Sequence, residues 1–102
     1  MARFNREHRR EQLEFTATEL AHECGLYNLT VEAIARKAHC ARSTVVYHVR
    51  SLNKLRDALI RRAIEKADIA LLLQAVARRD PAVRDLPQPI KDKMLTYVKG
   101  AL

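Results

Sequence analysis

The 102 residues of the chain are enough for one domain with a modest core, and too few for two domains that enclose a pocket between them. With 48% hydrophobic residues but only 2 Gly and 3 Pro, the composition predicts helices joined by short loops. A formal charge of +7 favours a polyanionic partner, and the absence of any apolar run near the roughly 20 residues that span a bilayer excludes a transmembrane protein.

The N-terminal part of the chain predicts two helices joined by a short connection. Apolar residues recur at largely helical spacing over residues 9–23, and Gly25 follows as a C-terminal stop. After a connection at residues 26–29, Thr30 is placed to cap a second helix over residues 31–38. The apolar residues on these two helices are Leu13, Phe15, Ala17, Leu20, Ala21, Val31, Ile34, Ala35 and Ala38.

The segment RSTVVYHV, which follows a break at residues 39–41, is ambiguous by composition. Its β-branched residues lower helix propensity, and TVVYHV taken alone equally fits a strand. Because a solitary strand would leave its backbone groups unpaired, the context predicts a third helix over residues 42–49.

One long helix and one or two short helices are predicted for the rest of the chain. The fourth helix is capped by Ser51 or Asn53 and reaches Ala77, because one broad apolar face runs through this stretch. Asp80 and the proline after it predict another cap, and two further prolines bracket a break before a last helix near residues 90–99. The fold class predicted is therefore all-α.

The stretch between Glu32 and Asp57 contains no acidic residue. DNA phosphates repel carboxylates, whereas Lys and Arg gain affinity through counterion release, so a duplex is expected to lie here. A solvated basic face is the alternative interpretation. The basic and polar residues of the stretch include Arg36, Lys37, His39, Arg42, Ser43, Thr44, Tyr47, His48, Arg50 and Lys54.

The second and third predicted helices have the lengths and the short turn of a helix-turn-helix unit, whose second helix enters the major groove by its N-terminal end. That end reads Arg42, Ser43, Thr44. Arg can donate two hydrogen bonds to guanine, and Ser and Thr can hydrogen-bond to more than one kind of base. The Thr methyl can also contact a thymine methyl. These three residues are the predicted base readers.

Residues 9–60, about half of the chain, resemble the N-terminal DNA-binding domain of the tetracycline-repressor (TetR) family. A first helix that ends in glycine is followed by LTVEAIARKAHCARSTVVYHVRSLNKLRDALI. The positions in register are Thr30, Val31, Ile34, Ala35, Ala38, Thr44, Val45, Tyr47, His48 and the entry into a long helix from Leu55 to Leu59.

The resemblance implies that Thr30 caps the second helix, that residues 42–44 face bases, and that Tyr47 and His48 lie near phosphates. A tyrosine can rest its ring on the protein and offer its hydroxyl to a phosphate. For His48, packing between the third and fourth helices is the alternative. The predicted DNA-binding residues are Thr30, Arg42, Ser43, Thr44, Tyr47, His48, Arg50 and Lys54.

The chain departs from the family pattern in the turn and in the third helix. His39 stands where the family has a turn glycine, so a left-handed backbone there would cost about 1 kcal/mol more. The resemblance implies an aromatic residue at Val46, Phe at Val49 and commonly a phosphate-binding Lys at Leu52. The expected substitutes for the phosphate contacts are Tyr47, Arg50 and Lys54.

Four arginines lie at the N-terminus against two glutamates. They predict either an arm that follows the DNA backbone or the minor groove, or a solvated tail. The four residues are Arg3, Arg6, Arg9 and Arg10.

We expect a single domain over residues 1–102, with a helix-turn-helix head at 9–52 and core-completing, dimerising helices at 53–102. Residues 69–77 carry more apolar surface than a three-helix head covers, which predicts a homodimer with two reading helices about 34 Å apart. Folding of the last helices back onto this stripe is the alternative. The predicted interface residues are Leu71, Leu72, Val76, Leu95 and Val98.

The function predicted is sequence-specific binding of double-stranded DNA by a transcriptional regulator, a repressor on a near-palindromic operator. A phage or plasmid replication, partition or packaging factor, and a helical protein-interaction module without DNA binding, are the alternatives. We expect no catalytic residue, no cofactor, no metal and no small-molecule effector, since Cys24 and Cys40 lack metal-ligand spacing and the C-terminal half is too short to enclose a cavity. The N-terminus lacks a signal-peptide core, so a cytoplasmic location is expected.

Overall fold

The computed structural model describes residues 6–101, and all regular structure within that range is helical. The all-α prediction is confirmed, and the strand alternative for TVVYHV is wrong. Two 3₁₀ turns lie at Leu26–Asn28 and Pro81–Val83. The α-helices are α1 (Arg6–Cys24), α2 (Val31–Ala38), α3 (Arg42–Val49), α4 (Leu52–Lys66), α5 (Ile69–Ala77) and α6 (Gln88–Ala101).

The chain forms two compact units, which divide between Leu59 and Ile60 within α4. In the first unit, α1 packs against α2, α3 and the first 3₁₀ turn, and α2 packs against α3. Phe15, which the apolar pattern placed with the core of α1, is 59% exposed instead. The buried apolar residues of this unit are Leu13, Ala17, Ala21, Leu26, Leu29, Ile34, Ala35, Val45, Leu55 and Leu59.

The bounds of α2 and α3 agree with the sequence prediction because local signals fix both ends of α2. The Thr30 Oγ1 accepts a hydrogen bond from the Ala33 N–H at 3.1 Å, which satisfies a donor that the first turn of α2 leaves without a helical partner. His39 ends the helix in the left-handed conformation, with φ 56° and ψ 46°. The N–H groups of His39 and Cys40 donate to the carbonyls of Arg36 and Ala35, the pattern of a Schellman cap.

The predicted fourth helix is wrong in its extent, because α4 ends at Lys66 rather than at Ala77. Ala67 adopts φ 54°, and the Asp68 carboxylate then accepts from the Leu71 N–H at 3.3 Å as the cap of α5. The apolar periodicity continues across this break, which is why periodicity alone missed it. At the start of α4 the cap is Ser51, whose Oγ accepts from the Lys54 N–H at 3.1 Å.

In the second unit, α5 packs against the 3₁₀ turn at Pro81–Val83 and against α6. Asp80 caps that turn as predicted, accepting from the Ala82 N–H at 3.0 Å, with Pro81 at the first position. The last helix begins at Gln88, earlier than predicted, because a proline is tolerated in a first helical turn. The buried apolar residues of this unit are Ile60, Ala63, Leu71, Leu72, Ala75, Val83, Leu86, Ile90 and Met94.

The predicted dimer surface is wrong at two of its five residues. Leu71 and Leu72 are fully buried within the chain, so neither offers surface to a second copy. The exposed fractions of Val76, Leu95 and Val98 are 40%, 60% and 42%. Of the five predicted residues, these three remain as candidates for a dimer contact. None of the helices described over residues 6–101 has the length and apolar character needed to cross a bilayer.

Candidate nucleic-acid interface

The first turn of α3 presents polar side chains to solvent while the same helix is anchored by one apolar residue. Arg42 and Ser43 are exposed and Thr44 is half-buried, whereas Val45 is fully buried in the core of the first unit. We call the outward surface the reading face. It is an open depression lined by Arg42, Ser43, Val46 and Tyr47.

Arg42 is held by an acidic residue from the preceding helix. Its Nε lies 3.0 Å from Oε1 of Glu32, and both side chains remain more than half exposed. The acid-free stretch of the sequence therefore does not correspond to an acid-free surface around Arg42. Glu32, which borders the acid-free stretch of the sequence, lies next to Arg42, a predicted base reader.

A second concave surface, which we call the basic pocket, lies where the start of α1 meets the end of α3. It has a volume of about 160 Å³. Tyr47 belongs to both surfaces, and 57% of it is exposed. The residues that line the basic pocket are Arg6, Glu7, Arg10, Tyr47, His48 and Arg50.

Tyr47 is fixed in this position by two ring contacts. Its ring meets that of His48 edge to face, with centroids 4.9 Å apart and planes at 90°. The Arg6 guanidinium lies 5.6 Å from the Tyr47 ring centroid, within the range of a cation–π interaction. The positive charge of Arg6 therefore lies beside the Tyr47 ring.

The pKa of His48 is lowered from its ordinary value of 6.5. Burial is the first cause, because it disfavours the imidazolium ion, and the positive charges of Arg9, Arg10 and Arg6 act in the same direction. A neutral imidazole beside three arginines is therefore the favoured form in the free protein near pH 7.

Arg6, Arg9 and Arg10 lie in helix α1, so the alternative of a solvated, disordered tail is wrong for these three residues, whereas their role in following DNA stays a prediction. Arg3 lies outside the described residues. Helix α1 begins earlier than the apolar pattern indicated, because that pattern starts only at Leu13 while polar residues extend the helix upstream. The i, i+4 spacing of Arg6 and Arg10 was the signal that could have placed both on one helical face.

Two predicted DNA-binding residues lie apart from these two surfaces, as far as the described residues line them. Thr30 is exposed and its hydroxyl oxygen is engaged in capping α2, as the resemblance implied. Lys54 is exposed in the first turn of α4. Arg50 lies on the basic pocket at the end of α3, with φ 67°, and its N–H donates to the Val46 carbonyl at 3.0 Å.

Cys24 is exposed and Cys40 is half-buried, and both are free thiols. Within residues 6–101, no group of three or more His, Cys, Asp or Glu side chains is placed to hold a metal ion.

Comparisons of the chain with protein-family models, with curated proteins and with solved structures found no match.

Proposed function

We propose that the chain is a sequence-specific double-stranded DNA-binding protein of the helix-turn-helix type, with α2 and α3 as its unit and α3 as its reading helix. The observation that carries the proposal is the reading face: an eight-residue helix, anchored by Val45, turns Arg42 and Ser43 to solvent. A helix of this kind fits the major groove, where Arg distinguishes guanine by a pair of hydrogen bonds.

The basic pocket supplies the contacts that would hold the reading helix in register. Phosphate contacts fix the position of a protein on the duplex, and base contacts read the sequence. Arg6, Arg10 and Arg50 line this pocket together with Glu7 and the exposed Tyr47, all within the same unit as α3, so its lining carries more positive than negative charge. A phosphate adjacent to the bases read by Arg42 would meet this group.

The relation to the TetR family is likewise a proposal, based on residues 9–60. The Thr30 cap and the left-handed turn at His39 support it, since both belong to the connection that the resemblance implies. The acting role would be that of a repressor, which blocks transcription by occupying its operator.

A homodimer is the assembly proposed. Val76, Leu95 and Val98 are large apolar residues that the second unit leaves exposed, and a second copy is the simplest partner for them. A symmetric dimer would require an operator with two related half-sites, about one helical turn of DNA apart.

Selection from a pool of random duplexes tests this function directly. We expect enrichment of one half-site repeated with inverted symmetry, and loss of that preference in Arg42→Ala. Lys93→Ala, which removes one exposed positive charge from α6, is the matched control and should retain the preference. A pool without any enriched sequence would contradict the proposal. Equal affinity for polyglutamate and for the duplexes would favour a module that binds acidic proteins.

A further inference from the structure

We propose that Glu32 is a specificity-determining positioning residue, which holds Arg42 in the orientation that reads guanine. This inference rests on the proposed function. It adds Glu32, which lies at the border of the acid-free stretch and is not among the DNA-binding residues predicted from the sequence. Glu32 does not need to touch DNA in this role. It acts through the side chain of Arg42.

The geometry that carries the inference is the contact between two first turns. Glu32 belongs to the first turn of α2 and Arg42 to the first turn of α3, and their Oε1 and Nε atoms are 3.0 Å apart. An unattached arginine has side-chain rotamer entropy to lose on binding. The carboxylate removes part of that freedom before DNA arrives.

The atom that Glu32 engages matters for what Arg42 can still do. A guanidinium has five N–H donors, of which Nε carries one. Because the carboxylate approaches Nε, the four N–H groups on the two terminal nitrogens are left for recognition. A bidentate bond to guanine O6 and N7 needs only two of them.

The charge of Glu32 has the opposite effect on binding that does not depend on sequence. A carboxylate on a DNA-facing surface is repelled by phosphates, and it neutralises part of the attraction that Arg42 provides. Glu32 therefore weakens binding to all duplexes while it strengthens the preference for one. A residue with a merely structural role would not change these two quantities in opposite directions.

Glu23 provides a matched control within the same unit. Its Oε1 lies 3.0 Å from Nζ of Lys37, so this is also an exposed ion pair of the same length. Glu23→Gln removes one negative charge, as Glu32→Gln does, but leaves Arg42 and its partner unchanged. Both variants should bind random duplexes somewhat more tightly than the wild type.

The experiment compares the affinity for a selected duplex with that for the same duplex carrying a substitution at the guanine read by Arg42. Glu32→Gln should lower this ratio about two- to fivefold, as expected for the loss of an exposed ion pair. Glu23→Gln should keep the ratio. In the Arg42→Ala background, Glu32→Gln should leave the ratio unchanged, since the residue through which it acts is gone.

Two failures are distinguishable. A wild-type protein that binds no duplex in preference to another overturns the proposed function and this inference with it. A wild type that discriminates, combined with an unchanged ratio in a Glu32→Gln variant of normal circular dichroism, overturns the role of Glu32 alone. An equal fall of the ratio in Glu23→Gln also overturns it, because charge rather than contact would then be the cause.

Discussion

Arg42 and Glu32 form an ion pair that joins the first turns of α2 and α3, with Nε 3.0 Å from Oε1. Exposed pairs of this kind contribute at most about 1 kcal/mol to folding. The main consequence of the pair is therefore where it places the arginine. Arg42 is also the predicted base reader, so replacing Arg42 should affect DNA recognition more than the stability of the fold.

Arg42→Ala should weaken binding to the selected duplex by about 1 to 3 kcal/mol and relax the base preference at one position. Lys54→Ala should weaken all duplexes alike, because a lysine contact to phosphate carries no sequence information. Fluorescence anisotropy on selected and scrambled duplexes measures both effects. An equal loss on the two duplexes for Arg42→Ala would show that this residue reads no base.

His48 should make DNA affinity depend on pH. A bound phosphate favours the imidazolium ion, whereas burial and the arginines lower the pKa of His48 in the free protein, so affinity should rise as the pH falls from about 8 to about 6. His48→Gln should flatten this dependence, and His22→Gln should preserve it. A pH profile that is identical in wild type and His48→Gln would contradict the placement of His48 beside a phosphate.

The lowered pKa of His48 should also make folding stability depend on pH, and stability should fall as the pH falls. The unfolded chain binds its proton at the ordinary pKa of 6.5, and the folded chain only at a lower pH. The contribution of His48 to stability is therefore complete above pH 6.5 and is lost as the pH falls through the lowered value. Urea unfolding of wild type and His48→Gln at pH 7.5 and 5.5 should show a smaller loss of stability in the variant.

His39→Gly should stabilise the protein by about 1 kcal/mol, because glycine adopts the left-handed conformation at φ 56° without a steric cost. The exposed Arg36 of α2 supplies the control: Arg36→Gly places glycine inside a helix and should destabilise by about 0.5 to 1 kcal/mol. Thermal unfolding measures both variants. A lower melting temperature for His39→Gly would mean that the imidazole contributes more than the strain costs.

The ends of a helix could be predicted from the sequence where a cap or a turn residue marks them locally. Thr30 and residues 39–41 lie at helix ends, where a cap and a turn fix the boundary, so α2 and α3 were placed correctly. The end of α4 was missed because Asp68 lies within an apolar pattern that continues on both sides.

The candidate interface was predictable in part for a related reason. The spacing of the second and third helices pointed to Arg42 and the family resemblance to Tyr47, and the structure places both residues on the two surfaces. The sequence did not indicate that Glu32 lies beside Arg42, and it predicted Arg6 only as part of an N-terminal arm or tail, without its contact to Tyr47. Contacts between residues far apart in sequence leave no mark in the periodicity of a single chain.

If the wild type forms the proposed homodimer, Leu95→Asp should convert it to a monomer while leaving it folded, because 60% of Leu95 is exposed. Leu71→Asp should instead unfold the second unit, since a buried carboxylate without a partner costs several kcal/mol. Sedimentation velocity and circular dichroism separate the two results. A dimer that survives Leu95→Asp would exclude this part of α6 from the interface.

The salt dependence of duplex binding tests the central claim most directly. If each protomer of a dimer neutralises about three phosphates, a plot of log affinity against log salt concentration for the selected duplex should have a slope near −5. The selected duplex should also bind more tightly than a scrambled one at every salt concentration. A slope near zero, or equal affinity for the two duplexes throughout the series, would contradict the claim that α3 reads DNA.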